Sequence, residues 1–239
     1  GRAAGAQMVA LPEMFVTGYQ TQDLVMKPQF TADAMAAIEA LALRCSEGPA
    51  MGIGGPFAEG GKLYNAYWIL EGGRVTARLL KHNLPNDDVF DEVRLFESGP
   101  MSGPYRIGPL RIGSPVCEDA WHPEVSETLA ETGAEILLIP NGSPYRRDKL
   151  DLRMNVIVAR VIETGLPAIY LNAVGGQDDQ LFDGASFALN PGAELAMQLE
   201  AFDEVIERLA GREAAQARWK ITAEGLELVR ERVARHAID

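Results

Sequence analysis

The stretch Leu110-Arg111-Ile112-Gly113-Ser114-Pro115-Val116-Cys117-Glu118-Asp119-Ala120-Trp121 carries the reading of the fold. Residues 110–116 read as a buried strand, and the run stops directly at a cysteine followed by two acids. Beyond it, Pro123 suits the first turn of a helix. Glu135 to Ile139 reads as a strand, Lys149 to Thr164 as an amphipathic helix closed by Gly165, and Ala168 to Leu171 as a further strand. Ser186 to Leu189 and Glu194 to Leu199 form a hairpin through Asn190-Pro191-Gly192-Ala193.

Upstream of the cysteine the same alternation holds. Gln7 to Leu11 is a short apolar strand that ends at Pro12 and delivers Glu13, and Thr31 to Arg44 has apolar residues at helical spacing. Ala50 to Ile53 reads as a strand before the loop GGPF. Leu63 to Leu70 and Arg74 to Leu80 make a hairpin around Glu71-Gly72-Gly73, with Tyr64-Asn65 bracing it. Strands interleaved with helices predict an α/β protein with mixed sheets and helices packed outside them.

Composition narrows the function classes. The 239 residues are 47% hydrophobic, ample for a continuous core, and carry a net charge of -12, which gives no reason to expect nucleic acid or anionic membrane as a partner. No run approaches the roughly 18 apolar residues of a membrane span, and the opening GRAAGAQMVALP lacks the regions of a signal peptide, so a cytoplasmic location is expected. Cys45, Cys117 and three scattered histidines supply neither a disulfide framework nor a zinc spacing. No metal is therefore expected, and cysteine chemistry here is expected to be nucleophilic.

Glu13, Lys81 and Cys117 each fall at or just beyond the C-terminal end of a predicted strand, where side chains converge in layered α/β folds. A cysteine attacking an amide needs a base that later returns a proton to the leaving amine, a role open to Glu13. The oxygen of the tetrahedral intermediate needs positive charge or N–H donors, which Lys81 and the backbone N–H of Glu118 can provide. Taken singly, each has an ordinary explanation: a small buried hydrophobe for Cys117, a cap or surface group for Glu13, a solvated lysine for Lys81. Cys45 reads as a packing residue, and the Gly175-Gly176 pair, which precedes acidic residues rather than a helix, reads as a loop near the pocket and not as a dinucleotide fingerprint.

The segments LPEMFVTGY (11–19), LLKHNLPN (79–86), SPVCEDAW (114–121), PNGSPYRRDK (140–149) and GGQDDQLFDGASF (175–187) occur in this order along the chain. Together they resemble the nitrilase superfamily, and within it the glutaminase domains of glutamine-dependent NAD synthetases, over about residues 5–204. The resemblance implies a four-layer α-β-β-α sandwich and hydrolysis of the side-chain amide of L-glutamine. It makes Cys117 the nucleophile, Glu13 the proton acceptor and Lys81 the oxyanion-stabilising lysine. It further makes Ser143 and Lys149 glutamine contacts, Glu92 a second glutamate that holds the lysine and substrate in place, and Tyr19 and Trp121 walls of the pocket. For Glu92 a solvated acid in a polar loop is the ordinary alternative, and for the two aromatics ordinary core. Asp87 stands where members of the family often contact glutamine with a tyrosine.

The resemblance also implies that the family's first strand and helix are lacking here, and that the synthetase domain, with its need for ATP and magnesium, lies outside this chain. The glutaminase step itself needs no cofactor. Residues 1–204 are expected to form the amidohydrolase domain and 205–239 a peripheral helical tail or linker, with the molecule forming a homo-oligomer through an outer helical face. Two other readings stay open: a stand-alone amidase or nitrilase acting on another small amide, and a catalytically silent interaction domain.

Overall fold

Strand β3 (Lys62–Glu71) shows how the layers are built, because its alternate residues enter two different cores. Ala66, Trp68 and Leu70 pack with Ile38 and Ala42 of helix α1 (Pro28–Arg44), whereas Tyr67 and Ile69 pack with Ile112 and Leu138 from the opposite sheet. A strand with both faces apolar is buried on both sides. The computed structural model describes residues 1–146, 149–178 and 180–202; the expected tail 205–239 lies outside the described residues.

The first sheet runs β1-β2-β3-β4, with β1 (Met8–Ala10) parallel to β2 (Ala50–Glu59) and β2, β3 and β4 (Arg74–Leu80) antiparallel. A one-turn helix α2 (Glu92–Leu95) follows. The second sheet contains β5 (Tyr105–Ile107), β6 (Leu110–Gly113), β7 (Ile136–Asn141), β8 (Ala168–Asn172), β11 (Phe187–Leu189) and β12 (Leu195–Gln198) in the order β12-β11-β8-β7-β6-β5. Its central strands β6, β7 and β8 are parallel, as the helical crossovers between them require. Those crossovers are α3 (Pro123–Glu131) and α4 (Lys149–Thr164).

The outer face of the second sheet, including Leu137 and Ile139, packs against Val125 and Leu129 of α3 and Ile157 and Val161 of α4. The order is α1, sheet, sheet, α3 with α4, which is the four-layer sandwich that the resemblance implies. Pro123 does open α3.

Three local readings need correction. The strand read over 110–116 ends at Gly113, and Cys117 opens a 3-10 turn (Cys117–Ala120) with φ 49. The GGPF segment is strand rather than loop, since β2 pairs with β3 as far as Glu59. Gly175-Gly176 lies in strand β9 (Val174–Gln177), which forms a separate hairpin with β10 (Gln180–Asp183). Glycine weakens a strand by its own preference, and pairing with Leu181 and Phe182 overrides it.

Candidate active site

Glu13 reaches the interior because β2 has no side chain where the chain beyond β1 crosses it. A Cβ built on Gly54 would lie 2.6 Å from Glu13 Cα. Two backbone bonds latch the crossing: Gly54 N–H donates to Pro12 O and Val16 N–H to Gly54 O, both at 3.1 Å. Only glycine permits two backbones to approach so closely. Lys81 follows the last residue of β4, and its N–H donates to Asn65 O at 2.9 Å.

Glu13 and Lys81 are paired in the interior. Lys81 Nζ donates to Glu13 Oε1 at 2.8 Å and to Glu92 Oε1 at 3.0 Å, with Glu92 Oε2 at 2.9 Å. All three residues are at most 2% exposed, so the charges interact with little screening by water. Burial alone would lower the pKa of the Lys81 ammonium, yet the two carboxylates raise it well above the usual lysine range. Lys81 is therefore a fixed cation. Burial pushes Glu92 up to about 7, opposed by Lys81 and reinforced by Glu13. Glu92 is thus not a solvated loop acid: it sits at the start of α2 and is buried.

Cys117 is buried, and its backbone φ of 49 is a conformation uncommon outside glycine. Burial raises the thiol well above its ordinary value; Glu13 adds to the rise and Lys81 opposes it. The group thus rests as a neutral thiol in the combined field of Glu13, Lys81, Glu118 and Glu92. Glu118, half-buried, is raised by burial, and Asp87 contributes to that rise from an exposed position. His122 Nε2 lies 3.5 Å from Glu118 Oε1 at the surface.

The remaining expected residues surround this centre. Lys81 Nζ lies 5.8 Å from the Tyr19 ring centroid, and the Tyr19 hydroxyl is pushed up by burial and by Glu92. Lys149 Nζ lies 5.2 Å from the Phe90 ring and 5.9 Å from that of half-buried Trp121. Burial lowers its pKa, and the nearby Cys117 side chain opposes this, so the ammonium is within electrostatic reach of the sulfur. Ser143 is buried with its groups engaged: N–H to Asn172 Oδ1 at 3.0 Å, Oγ from Arg153 Nε at 3.1 Å, and the carbonyl from Arg153 Nη2 at 2.8 Å.

Several residues not singled out from sequence hold this arrangement together. Asn65 is fully buried and donates to Glu13 Oε1 at 2.8 Å and Glu92 Oε1 at 3.2 Å, so it belongs to the site rather than bracing a hairpin. Asp119 accepts the backbone N–H groups of His82, Asn83 and Val116. Arg153 pairs with Asp183 at 2.8 Å while fixing the Ser143-Pro144 carbonyls. The available signal was a polar residue within an apolar strand or on the buried face of a helix. Among the described residues, no group of three or more His, Cys, Asp or Glu is placed to hold a metal ion, and no helix is long and apolar enough to cross a membrane.

Residues 1–216 match the carbon-nitrogen hydrolase family. The glutamine-dependent NAD(+) synthetase of Rhodobacter capsulatus is 66% identical over 206 residues, 86% of this chain and 37% of that protein. That of Xylella fastidiosa (strain Temecula1 / ATCC 700964) is 38% identical over 205 residues, 84% of this chain and again 37% of the relative. The chain thus spans little more than a third of the length of these relatives. Among solved structures, the glutamine-dependent NAD+ synthetase of Acinetobacter baumannii superposes with a TM-score of 0.78 at 32% identity, over 84% of this chain and 38% of that one. An amidase from Nesterenkonia sp. shares the fold, with a TM-score of 0.72 at 24% identity over 83% of this chain and 75% of its own. On the strength of the match across residues 1–216, the chain belongs to the carbon-nitrogen hydrolase family, with the nitrilase-type sandwich of its structural neighbours.

Proposed function

We propose that this chain hydrolyses the side-chain amide of L-glutamine and supplies the ammonia to an NAD synthetase domain of the same polypeptide. The observation that carries the reading is the buried Lys81–Glu13 pair, whose charges act on the Cys117 thiol. Support for glutamine comes from the relatives named glutamine-dependent NAD(+) synthetase and from Lys149, an ammonium between two aromatic rings near Cys117 that suits an α-carboxylate.

Because burial keeps Cys117 a thiol, attack and deprotonation go together. Glu13 takes the Sγ proton as sulfur bonds to the amide carbon, and the carbonyl oxygen gains the negative charge. Lys81 has three N–H groups; one is directed to Glu13 and one to Glu92, which leaves the third for that oxygen. Glu13 returns the proton to the leaving nitrogen, ammonia departs, and a γ-glutamyl thioester remains. Glu13 then draws a proton from water, which adds to the thioester; glutamate leaves and Sγ regains its proton. Tyr19 and Trp121 line the site, the backbone N–H of Glu118 is a second oxyanion donor, and Asp87 stands at its edge. No cofactor takes part in this step. ATP and magnesium would serve the synthetase domain, where ammonia and activated deamido-NAD become NAD. A cytoplasmic homo-oligomer, associating through the α4 face that exposes Leu152 and Ile162, completes the proposal.

The experiment is ammonia release from glutamine by the purified chain and its variants. Cys117→Ala is expected to release none, Lys81→Met to lose about 10²–10³-fold in kcat, and Lys149→Met to raise KM about tenfold or more with kcat little changed. Ammonia from the Cys117→Ala protein would reject the assignment. The internal engagement of Ser143 favours a second reading, an amidase for a smaller amide. Turnover of acetamide or propionamide without turnover of glutamine would select it.

A further inference from the structure

Asn65 occupies a costly position. It is a fully buried amide in the interior of β3, and among the described residues its Oδ1 has no hydrogen-bond partner. Burying an unpaired carbonyl is unfavourable, so what this side chain contributes must come from its two N–H groups. Both are directed at carboxylates, one to Glu13 Oε1 at 2.8 Å and the other to Glu92 Oε1 at 3.2 Å.

The consequence for Glu13 follows from its lone pairs. A carboxylate oxygen has two acceptor sites in the plane of the group. Oε1 receives Lys81 Nζ and Asn65 Nδ2, which fill both. Oε2 receives the Gly142 backbone N–H at 2.8 Å and, among the described residues, nothing else. The two oxygens are therefore chemically unequal: Oε1 is saturated, and Oε2 retains an open lone pair.

We propose that Asn65 is a positioning residue for proton transfer: with Lys81 it saturates Glu13 Oε1 and fixes Oε2 as the oxygen that exchanges the proton with Cys117. This deepens the glutaminase mechanism and rests on Glu13 acting as the base for Cys117. Asn65 acts through Glu13, to which its amide is bonded. It acts by preventing the carboxylate from turning Oε1 toward the sulfur. The groups facing Glu13 are Lys81 from the end of β4, Glu92 from α2, Tyr19 from the segment after β1, and Cys117 and Glu118 from the 3-10 turn. Losing this donor frees the carboxylate to rotate, so an Asn65 variant passes the proton more slowly.

The test has two arms, the first of which does not use glutamine. Alkylation of Cys117 by iodoacetamide is followed by intact mass from pH 5 to 9. In the Glu13→Gln protein it should be slowed strongly; an unchanged rate there would remove the underlying reading of Glu13, independently of Asn65. With that arm satisfied, Asn65→Leu and Asn65→Asp are compared with the unsubstituted protein after circular dichroism shows cooperative unfolding. Alkylation at pH 7 and kcat for glutamine are expected to fall about tenfold or more, with KM changed less than about threefold. A folded variant with an unchanged alkylation rate, or one altered only in stability or KM, overturns the proposal. Should Asn65→Leu fail to fold, Asn65→Asp, which keeps the side-chain shape, decides it.

Discussion

Asp119 Oδ1 accepts the backbone N–H of Asn83 at 2.7 Å, joining the segment that follows Lys81 to the turn that begins at Cys117. The same oxygen accepts His82 N–H at 3.1 Å and Oδ2 accepts Val116 N–H at 3.1 Å, so one carboxylate fixes the segments that carry Lys81 and Cys117 relative to each other. In Asp119→Asn one of these oxygens becomes an NH₂ facing an N–H. The variant is expected to lose about 1–3 kcal/mol in urea unfolding. Its kcat should fall further than Asp119's distance from the substrate alone would suggest, by about tenfold. Unaltered stability together with unaltered kcat would contradict this role.

Glu92 makes stability depend on pH. Its carboxyl is raised from 4.5 to about 7 in the folded protein, chiefly by burial, so between those values the folded state holds a proton that the unfolded chain has released. Its favourable contribution is therefore fully present below 4.5 and is lost as pH rises through about 7. Urea unfolding of the unsubstituted protein and Glu92→Gln should give a stability difference that shifts against the unsubstituted protein from pH 4.5 to 7. A difference that is constant, or that shifts the other way, would show that the carboxyl is not raised.

Gly54 sets the position of Glu13 by the absence of a side chain. A methyl group there meets the backbone of Glu13 and Met14, neither of which can yield as a flexible side chain would. Gly54→Ala is expected to cost about 1–3 kcal/mol, as overpacking does, and to depress kcat by displacing Glu13. Gly103, with open space around its Cβ position, is the control, and Gly103→Ala should stay within about 0.5 kcal/mol. Equal effects at the two positions would remove the close-approach argument.

The strands and helices were legible because their cause is local, whereas their stacking into four layers followed from the family resemblance. The continuous apolar run of β3 and the spacing of Arg153, Ile157, Arg160 and Val161 along α4 follow from the geometry of a doubly buried strand and a helix. Glu13 and Lys81 were legible as polar residues placed just past apolar strands. Asn65 and Asp119 were not, because their partners lie far along the chain: 52 positions separate Asn65 from Glu13, and 36 separate Asp119 from Asn83. Periodicity reports which face a residue occupies but not what meets it there. The turn at Cys117 escaped for a related reason: the apolar run continues through Val116, while β6 stops pairing at Gly113, and only the φ of 49 at Cys117 shows how the chain turns the thiol inward.

The central claim is that Cys117 attacks an amide with Glu13 as its base and Lys81 holding the oxyanion. Rapid mixing with glutamine, acid quenching within the first turnovers and intact mass followed by peptide mapping test it most directly. The account predicts a γ-glutamyl adduct on Cys117 in the unsubstituted protein, its absence in Cys117→Ala, and its slowed appearance in Glu13→Gln and Lys81→Met. Glutamate formed at the full rate by Cys117→Ala, or a γ-glutamyl adduct on any residue other than Cys117, would contradict it.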